Sequence, residues 1–219
     1  MKKFFGVLKK CPLFDGIEEA ELERMLVCMG AKIELFDKKY TIFAEGTPAK
    51  YLGVVLSGSA NIVMIDYDGN RSLIGTVHPS EVFAEAFACA GGMNLPVSVV
   101  ANEPCEVMYI NCDHILHTCE NNCGFHRQLI YNVMKDLARK TITFHRKLEI
   151  ISKRTTREKI MAYLYMRAKE TGSRSFDIPY DRQELADYLE VDRSGLSAEI
   201  SKLRQDGVIE SERKHFVIL

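Results

Sequence analysis

The chain has 219 residues, of which 47% are hydrophobic, and a formal net charge of −1. This length can bury one sizeable core and a second, smaller one. No apolar run reaches membrane-spanning length, and the N-terminal segment Met1–Phe5 lacks the apolar stretch and cleavage site of a signal peptide. We therefore expect a cytoplasmic protein with no membrane partner. Seven cysteines, an odd number, favour reduced thiols over a disulfide framework.

Residues 12–29 have the pattern of a short helical lead-in. Leu22, Met25, Leu26 and Met29 form an apolar stripe at helical spacing. Asp15 with Glu18 indicates a capping box at the start of this helix.

From Lys32 the hydrophobic period changes to that of short strands separated by turn residues. The predicted strands are Thr41–Phe43, Gly53–Leu56, Ala60–Ile65, Leu73–Val77, Val97–Ala101 and Val107–Ile110. Asp68-Gly69 is a strong hairpin signal between two of them. Many short strands at this spacing predict a closed or double-sheet β structure.

A group of cysteines and histidines follows the last predicted strand, consisting of Cys112, His114, His117, Cys119, Cys123 and His126. Thiolate and imidazole are suitable ligands for zinc, iron or haem, and the candidate ligands are Cys112, His117, Cys119 and Cys123. The spacing matches no paired CxxC zinc pattern. Two other interpretations stay open: buried thiols that act as small hydrophobes, and a thiol switch. The sequence alone assigns no cofactor.

Residues 121–151 read as one long helix. Its apolar positions step by alternating fours and threes along Ile130, Met134, Leu137, Thr141, Phe144, Leu148 and Ile151. Such a heptad-like seam favours packing against a second copy of the helix and predicts a parallel homodimer. One face of the helix can also lie on its own β domain. The polar segment Ser152–Thr156 ends the seam and is the predicted hinge.

Residues 181–205 predict two amphipathic helices joined by a tight turn. Asp181 and Glu184 indicate a capping box at the first helix, and Asp192 is the predicted N-cap of the second. Leu196, Ile200 and Leu203 share the inward face of the second helix, so Arg193, Ser194 and Ser197 lie outward. A helix-turn-helix uses this arrangement to place its second helix in the DNA major groove.

Gly207 is a stop signal after the second helix, and the residues that follow predict a β-hairpin wing. Charge alone would not indicate DNA binding, because residues 151–219 hold 13 Lys and Arg against 12 Asp and Glu. A basic footprint must therefore be local, and its candidate residues are Arg182, Arg193, Lys202, Arg204, Arg213 and Lys214. The alternative is an ordinary two-helix cap on a globular domain.

The segment Glu45–Ala60 resembles the pattern of cyclic-nucleotide-binding β-rolls, with Glu45-Gly46, Tyr51, Leu56, Gly58 and Ala60 at the matching positions. Together with the helix-turn-helix, the chain is similar to the cyclic-AMP receptor/FNR superfamily of bacterial transcription factors. The resemblance implies an α+β protein with an N-terminal double-stranded β-helix, a long dimerisation helix and a C-terminal winged helix-turn-helix. The implied domains are an effector-sensing domain (1–120), a dimerisation helix (121–151) and a DNA-binding domain (152–219).

The resemblance also locates an effector pocket. Cyclic-AMP binders of this family carry a Gly-Glu pair for the ribose, where this chain has Ala84-Glu85, and an Arg-Ser pair for the phosphate, where it has Asn94–Ser98 with no basic residue. A phosphate buried without a cation is costly, so we expect an effector other than cyclic AMP: a small molecule, a redox signal or a metal. The N-terminal cysteine set of FNR-type members is absent. The predicted pocket residues are Phe83, Glu85, Leu95, Val97, Phe144 and His145.

By the resemblance and by helical position, Arg193, Ser194 and Ser197 are predicted to contact bases, while Arg182, Lys202 and Lys214 are predicted to contact phosphates. The expected partners are double-stranded DNA with a palindromic site, a second copy of the chain and, by the resemblance, RNA polymerase. The expected function is effector-responsive transcription regulation, not catalysis. The alternatives are a thiol- or metal-based redox regulator of the same architecture, a cupin-like metal enzyme, and an adaptor whose winged helix contacts protein.

Overall fold

The computed structural model describes residues 2–65, 71–116 and 124–219. The chain divides into two compact units, residues 1–139 and 140–219. The predicted hairpin turn at Asp68-Gly69 lies outside the described residues. Of the helices in the described part, none is long and apolar enough to cross a membrane. The functional division at residues 120 and 151 stays a prediction.

The first unit begins with short helical elements. They are the 3₁₀ turns Lys2–Phe4 and Pro12–Phe14 and the helices α1 (Phe5–Leu8) and α2 (Glu19–Cys28). The predicted apolar stripe of α2 is confirmed, because its side chains are buried against the core. The capping box at Asp15 is wrong. Asp15 ends the preceding 3₁₀ turn, and its carboxylate lies 3.4 Å from the Lys135 ammonium group.

Two antiparallel sheets make up the body of the first unit. Within the described residues, one sheet has the strand order β1-β8-β3-β6 and the other β2-β7-β4-β5. The strands are β1 (Lys32–Phe36), β2 (Thr41–Phe43), β3 (Tyr51–Ser57), β4 (Ala60–Ile65), β5 (Arg71–Val77), β6 (Val82–Phe83), β7 (Ser98–Ala101) and β8 (Cys105–Asn111). Side chains of both sheets meet in one buried cluster, which includes Val55, Phe83, Val99 and Val107. The predicted double-sheet β structure is confirmed.

Strand β3 is covered by other parts of the protein on both faces of its sheet. Its residues from Leu52 to Leu56 are all buried, rather than alternating between buried and exposed. Val55 packs in the cluster between the sheets, whereas Leu52 and Val54 pack in a second cluster with the N-terminal helices. A strand covered on both faces is expected to be apolar throughout.

Three helices complete the first unit and lead out of it: α3 (Glu85–Ala90), α4 (Cys112–Leu116) and α5 (Gly124–Ile151). The described part of α5 confirms the predicted long helix, whose first predicted residues, 121–123, lie outside the described residues. Leu129 and Val133 are buried in the core that contains the α2 stripe. The buried Asn132 amide donates hydrogen bonds to the carbonyl oxygens of Leu13, at 3.0 Å, and Asp15, at 2.8 Å.

Beyond the buried residues Leu129, Asn132 and Val133, α5 exposes large apolar side chains. Met134 is 64% exposed, Phe144 73% and Leu148 59%. All three belong to the predicted seam, so its larger members are not buried by the chain itself.

The second unit is a winged helix-turn-helix, as predicted. Its elements after the end of α5 are α6 (Thr156–Thr171), β9 (Ser175–Asp177), α7 (Arg182–Leu189), α8 (Arg193–Gln205), β10 (Ile209–Glu212) and β11 (His215–Ile218). The wing strands β10 and β11 pair antiparallel, and β9 pairs with the other edge of β11. Both α6 and α7 start at capping boxes, formed by Thr155 with Glu158 and by Asp181 with Glu184.

A compact core fixes α8 against the rest of this unit. Leu196, Ile200 and Leu203 of α8 are buried together with Leu185 of α7 and Phe216 of the wing. The three-and-four spacing of the α8 residues therefore sets which side of the helix faces solvent.

Candidate functional site

The turn between α7 and α8 sets the direction and the starting residue of the second helix. Glu190 ends α7 in the left-handed conformation, with φ of 52°. Asp192 then caps α8: its carboxylate accepts a hydrogen bond from the Ser194 hydroxyl and one, at 2.9 Å, from the Gly195 amide. These bonds to the ionised form hold the pKa of Asp192 below its usual value. Asp192 therefore fixes the residue at which α8 begins, and the Arg193 and Ser194 side chains of its first turn face solvent.

The outward side of α8 carries Arg193, Ser194, Ser197 and Ser201, and all four are exposed. The Ser194 hydroxyl donates to Asp192, which leaves its oxygen lone pairs as acceptors. The Ser201 hydroxyl donates to the Ser197 carbonyl oxygen at 3.0 Å. The flank thus offers one guanidinium group and several short hydroxyl side chains, which is a surface suited to base edges in a groove.

A cleft of about 520 Å³ runs beside this flank, between α8 and the wing. It is lined on the helix side by Ser197, Ser201 and Arg204, and on the other sides by residues that include Arg182, Ser211 and Arg213. Arg204 was included in the local basic footprint from the sequence, but no particular contact with DNA was assigned to it. Its position at one turn beyond Ser201, on the same side of α8, would have indicated it.

Arg182 is held in this cleft by two interactions. Its guanidinium carbon lies 5.0 Å from the centroid of the Phe216 ring, and its Nη2 lies 3.5 Å from the Ser211 hydroxyl oxygen. Burial, followed by repulsion from Arg204, lowers the pKa of the Arg182 guanidinium group. Two neighbouring cations that destabilise each other are stabilised by an anion between them.

The two predicted phosphate-binding lysines, Lys202 and Lys214, are not among the residues that line the cleft. Lys202 is exposed on α8, with its ammonium group 3.9 Å from Glu199. Lys214 lies in the wing turn, donates to the Pro179 carbonyl oxygen at 2.7 Å, and is 3.9 Å from Glu184. Lys214 is therefore held more firmly than Lys202.

The first unit contains the sensor part of the predicted effector pocket. Phe83, Glu85 and Leu95 are buried, and Val97 is half-buried. The Leu95 segment pairs with the segment that carries the glycine pattern: its amide donates to the Thr47 carbonyl oxygen, and its own carbonyl oxygen accepts from the Gly46 amide. The two sequence stretches that indicated a β-roll sensor are thus neighbours in the fold.

An aromatic side chain fills the interior next to these residues. The Phe83 ring lies 5.3 Å from that of Phe43, and it approaches the backbone of Gly53 so closely that a Cβ atom there would lie 2.1 Å from the ring. Gly53 is therefore required by the close approach of the Phe83 ring.

Ala84 adopts the left-handed conformation, with φ of 62° and ψ of 2°, directly before α3. This conformation favours glycine and costs an alanine about 1–2 kcal/mol. Glycine is the residue expected here from the cyclic-AMP-binding pattern, and a glycine would adopt this conformation without strain. The strain falls next to the buried carboxyl group of Glu85.

The other two predicted pocket residues, Phe144 and His145, lie on the part of α5 that belongs to the second unit. Both side chains are exposed.

Of the predicted metal ligands, only Cys112 lies among the described residues, because His117, Cys119 and Cys123 fall in the segment 117–123. Cys112 is buried. Its interaction with the neighbouring Cys89 thiol raises the pKa of Cys112 and lowers that of Cys89. Across residues 2–65, 71–116 and 124–219, no three His, Cys, Asp or Glu side chains come together as metal ligands.

Comparison with known proteins finds a matching domain family for each of the two units. The profile of the cyclic nucleotide-binding domain matches residues 33–122, and that of the Crp-like helix-turn-helix domain matches residues 158–219. The transcriptional activator FnrL of Cereibacter sphaeroides is 25% identical over 95% of this chain and 83% of its own length. The transcriptional activator Anr of Pseudomonas aeruginosa is 26% identical over 95% of this chain and 84% of its own. The catabolite activator protein of Thermus thermophilus has the same fold, with a TM-score of 0.57 at 22% identity over 95% of this chain and 93% of that one.

Proposed function

We propose that this chain, which belongs to the Crp/Fnr family of transcription regulators, is an effector-responsive regulator that binds specific DNA sequences as a homodimer. The observation that carries the proposal is the exposed flank of α8 beside the cleft that holds Arg182 and Arg204. The relatives compared are transcriptional activators, so regulation is proposed rather than catalysis. The place of action is then the cytoplasm, with RNA polymerase as the family's expected protein partner.

Base recognition is assigned to the N-terminal half of α8. Arg193, Ser194 and Ser197 face outward where a recognition helix meets base edges, and a guanidinium group pairs best with guanine O6 and N7. Ser194 acts as an acceptor, because its proton is already donated to Asp192.

Phosphate binding is assigned to Arg182, which lines the cleft, to Lys202 on α8 and to Lys214 in the wing turn. The domain as a whole is nearly neutral, so affinity depends on where these charges lie rather than on their number. Burial, and then repulsion from Arg204, lowers the pKa of Arg182, and a phosphate oxygen between the two guanidinium groups offsets the repulsion.

The homodimer is assigned to α5. Its exposed Met134, Phe144 and Leu148 continue the heptad-like seam, and a second copy of the helix would bury them. Two recognition helices carried by such a dimer match half-sites about 34 Å apart, which is the reason to expect a palindromic DNA site.

The effector is proposed to be a molecule other than cyclic AMP. The Asn94–Ser98 segment has no cation for a cyclic phosphate, and the Ser98 hydroxyl accepts from the Glu45 amide at 3.0 Å. Desolvating a phosphate without a charged partner is costly. Titration calorimetry with cyclic AMP tests this point, and micromolar or tighter binding would contradict it.

The direct test of the proposed function is selection of bound sequences from random duplex DNA by the purified full-length chain. The expected result is one enriched palindrome, bound with an affinity that falls steeply with salt. Enrichment of no sequence, with and without cell extract as a source of effector, would refute sequence-specific binding and favour an adaptor.

A further inference from the structure

The turn between α7 and α8 is held by two lysines from different helices. The ammonium group of Lys147, on α5, lies 3.6 Å from the Glu190 carboxylate. The ammonium group of Lys159, on α6, donates to the carbonyl oxygens of Leu189, at 3.2 Å, and Glu190, at 3.3 Å. The side chain and the main chain of Glu190 are therefore attached to separate helices.

The backbone at Glu190 has a conformation that needs such support. Its φ of 52° and ψ of 56° lie in the left-handed region, which a residue other than glycine seldom adopts. The Glu190 amide donates to the Asp187 carbonyl oxygen at 3.2 Å. The Val191 amide donates to the Ala186 carbonyl oxygen at 3.0 Å. Only Val191 and Asp192 separate Glu190 from the first residue of α8, so the recognition helix must follow any movement of this turn.

Lys147 also lies over an aromatic ring of α7. Its ammonium nitrogen is 5.6 Å from the centroid of the Tyr188 ring, which is within the range of a cation–π interaction. The Tyr188 ring stacks on that of Tyr180, with centroids 5.0 Å apart, and lies 5.4 Å from the ring of the buried Tyr163. Lys147 is therefore placed against a packed surface of the helix-turn-helix.

The end of α5 belongs to the same packed unit. Ile150, one turn after Lys147, is 3% exposed in the core of the helix-turn-helix. Phe144 and Leu148, two exposed members of the predicted seam, precede and follow Lys147 along the helix. Lys147 therefore links the part of α5 that carries the seam to the turn that sets the direction of α8.

The Lys147–Glu190 pair is poorly suited to stabilising the fold. The two side chains are 37% and 58% exposed, and an ion pair in water adds little to the free energy of unfolding. Its effect is expected instead in how firmly the turn is held relative to α5.

We propose that Lys147 is a positioning residue, which fixes α8 relative to α5 through Glu190 and so determines the half-site spacing that the homodimer accepts. This role rests on the proposed function, because it needs paired recognition helices. In a dimer joined along α5, the distance and angle between the two α8 helices depend on how each is held relative to its own α5. Without Lys147 the base-contacting side chains of α8 are unchanged, so the same half-sites are bound over a wider range of spacings.

The test measures affinity against spacing. The palindrome selected by the unsubstituted full-length protein is prepared with its central spacer unchanged, or shortened or lengthened by one or two base pairs, and each duplex is titrated by fluorescence anisotropy. One base pair moves a half-site by about 3.4 Å and turns it by about 34° around the DNA axis. We expect Lys147→Ala to select the same half-sites and to discriminate against altered spacers about threefold less than the unsubstituted protein.

Further variants separate positioning from charge and from dimerisation. Lys147→Arg, which keeps the cation, should retain the spacer discrimination. Glu190→Gln should reproduce the loss, and combining it with Lys147→Ala should cause no further loss. Lys169→Ala is the matched control, because it removes an exposed ammonium group from the last turn of α6, and it should leave the discrimination unchanged. Sedimentation equilibrium should give the same dimer dissociation constant for all of these proteins.

Hydrogen exchange tests the attachment of the turn without DNA. The Glu190 and Val191 amides should exchange faster in Lys147→Ala than in the unsubstituted protein, and at the unchanged rate in Lys169→Ala. Equal exchange at both amides in Lys147→Ala, or an unchanged spacer discrimination, would overturn the proposal. If the unsubstituted protein selects no DNA sequence, the proposed function and the spacing role fail together, and the exchange rates alone decide whether Lys147 holds the turn.

Discussion

The guanidinium group of Arg182 lies 5.0 Å from the ring centroid of Phe216, so the first residue of α7 is stacked on the second strand of the wing. Nearby, Arg204 projects from α8 into the same cleft. The Arg182 guanidinium group therefore joins α7 to the wing, within a cleft that α8 also lines. A planar guanidinium group can stack on a ring and still present N–H donors to a phosphate, which an ammonium group cannot do equally well.

Two substitutions of Arg182 should therefore distinguish the contribution of its charge to DNA binding from that of its stacking on Phe216. Arg182→Ala should weaken DNA binding and reduce the magnitude of the slope of log K against log salt by about 0.9, because one phosphate contact is lost. Arg182→Lys should keep the slope and still bind more weakly, because it loses the stacking on Phe216. Fluorescence anisotropy over a salt series measures both quantities.

Arg174→Ala is the matched control for Arg182, because it removes an exposed cation that lies outside the cleft. Its slope should equal that of the unsubstituted protein. Equal slopes for Arg182→Ala and Arg174→Ala would show that Arg182 makes no phosphate contact.

Arg193 should instead determine sequence preference. Arg193→Ala is expected to relax the preference at one base pair in each half-site, at a cost of about 1–3 kcal/mol for the preferred sequence. Selection of bound sequences with this variant, compared with Lys202→Ala, separates base contact from phosphate contact. An unchanged preference at every position in Arg193→Ala would remove it from the base-contacting set.

The exposed apolar side of α5 predicts the oligomeric state. Phe144→Glu should weaken the dimer by at least roughly tenfold, about 1.4 kcal/mol, since a carboxylate in an apolar seam must be desolvated. Sedimentation equilibrium gives the dissociation constant. Tyr165→Glu, which introduces the same charge at another exposed aromatic residue of the second unit, should leave it unchanged. A monomeric unsubstituted protein would exclude the proposed dimer.

The sequence predicted the winged helix-turn-helix in detail, because each of its boundaries carries a local chemical signal. Asp181, Glu184, Asp192 and Gly207 all lie where the helices begin or end. Strands were predicted where β-branched and apolar residues cluster, and β2 and β4 have the predicted bounds. The strand β1 was missed, although Lys32–Leu35 alternates polar and apolar residues; within the strand only Phe36 is buried.

The proximity of Cys89 and Cys112 and the cleft beside α8 could not be predicted in the same way. Cys89 and Cys112 are neighbours only because β7 and β8 return the chain to the segment beside Lys50, which is a tertiary relationship. Likewise, the cleft exists only once the wing folds back beside α8. The capping box expected at Asp15 failed for a related reason: a 3₁₀ turn ends there, and the side chain pairs with Lys135, far along the chain.

The left-handed conformation of Ala84 predicts a stabilising substitution. Ala84→Gly relieves about 1–2 kcal/mol of backbone strain and costs roughly 0.5–1 kcal/mol in unfolded-chain entropy, so we expect a net gain of about 0.5–1 kcal/mol in the free energy of unfolding. Urea denaturation measures it. Ala88→Gly, within the same helix at ordinary dihedral angles, should be destabilising by contrast. A loss of stability in both variants would mean that the strain at Ala84 is not real.

The contact between Gly53 and the Phe83 ring predicts a large effect from one methyl group. In Gly53→Ala the new Cβ atom would lie 2.1 Å from the ring, so the ring or the strand must move. Overpacking of this kind costs about 1–3 kcal/mol in the free energy of unfolding. Gly75→Ala is the matched control: it lies on a strand of the other sheet, its Cβ atom would meet nothing within 4 Å, and its stability should be nearly unchanged.

Adding Phe83→Leu to Gly53→Ala should recover part of the loss, and the double-mutant cycle should give a favourable coupling energy. Additive effects of the two substitutions would show that the ring does not lie against Gly53.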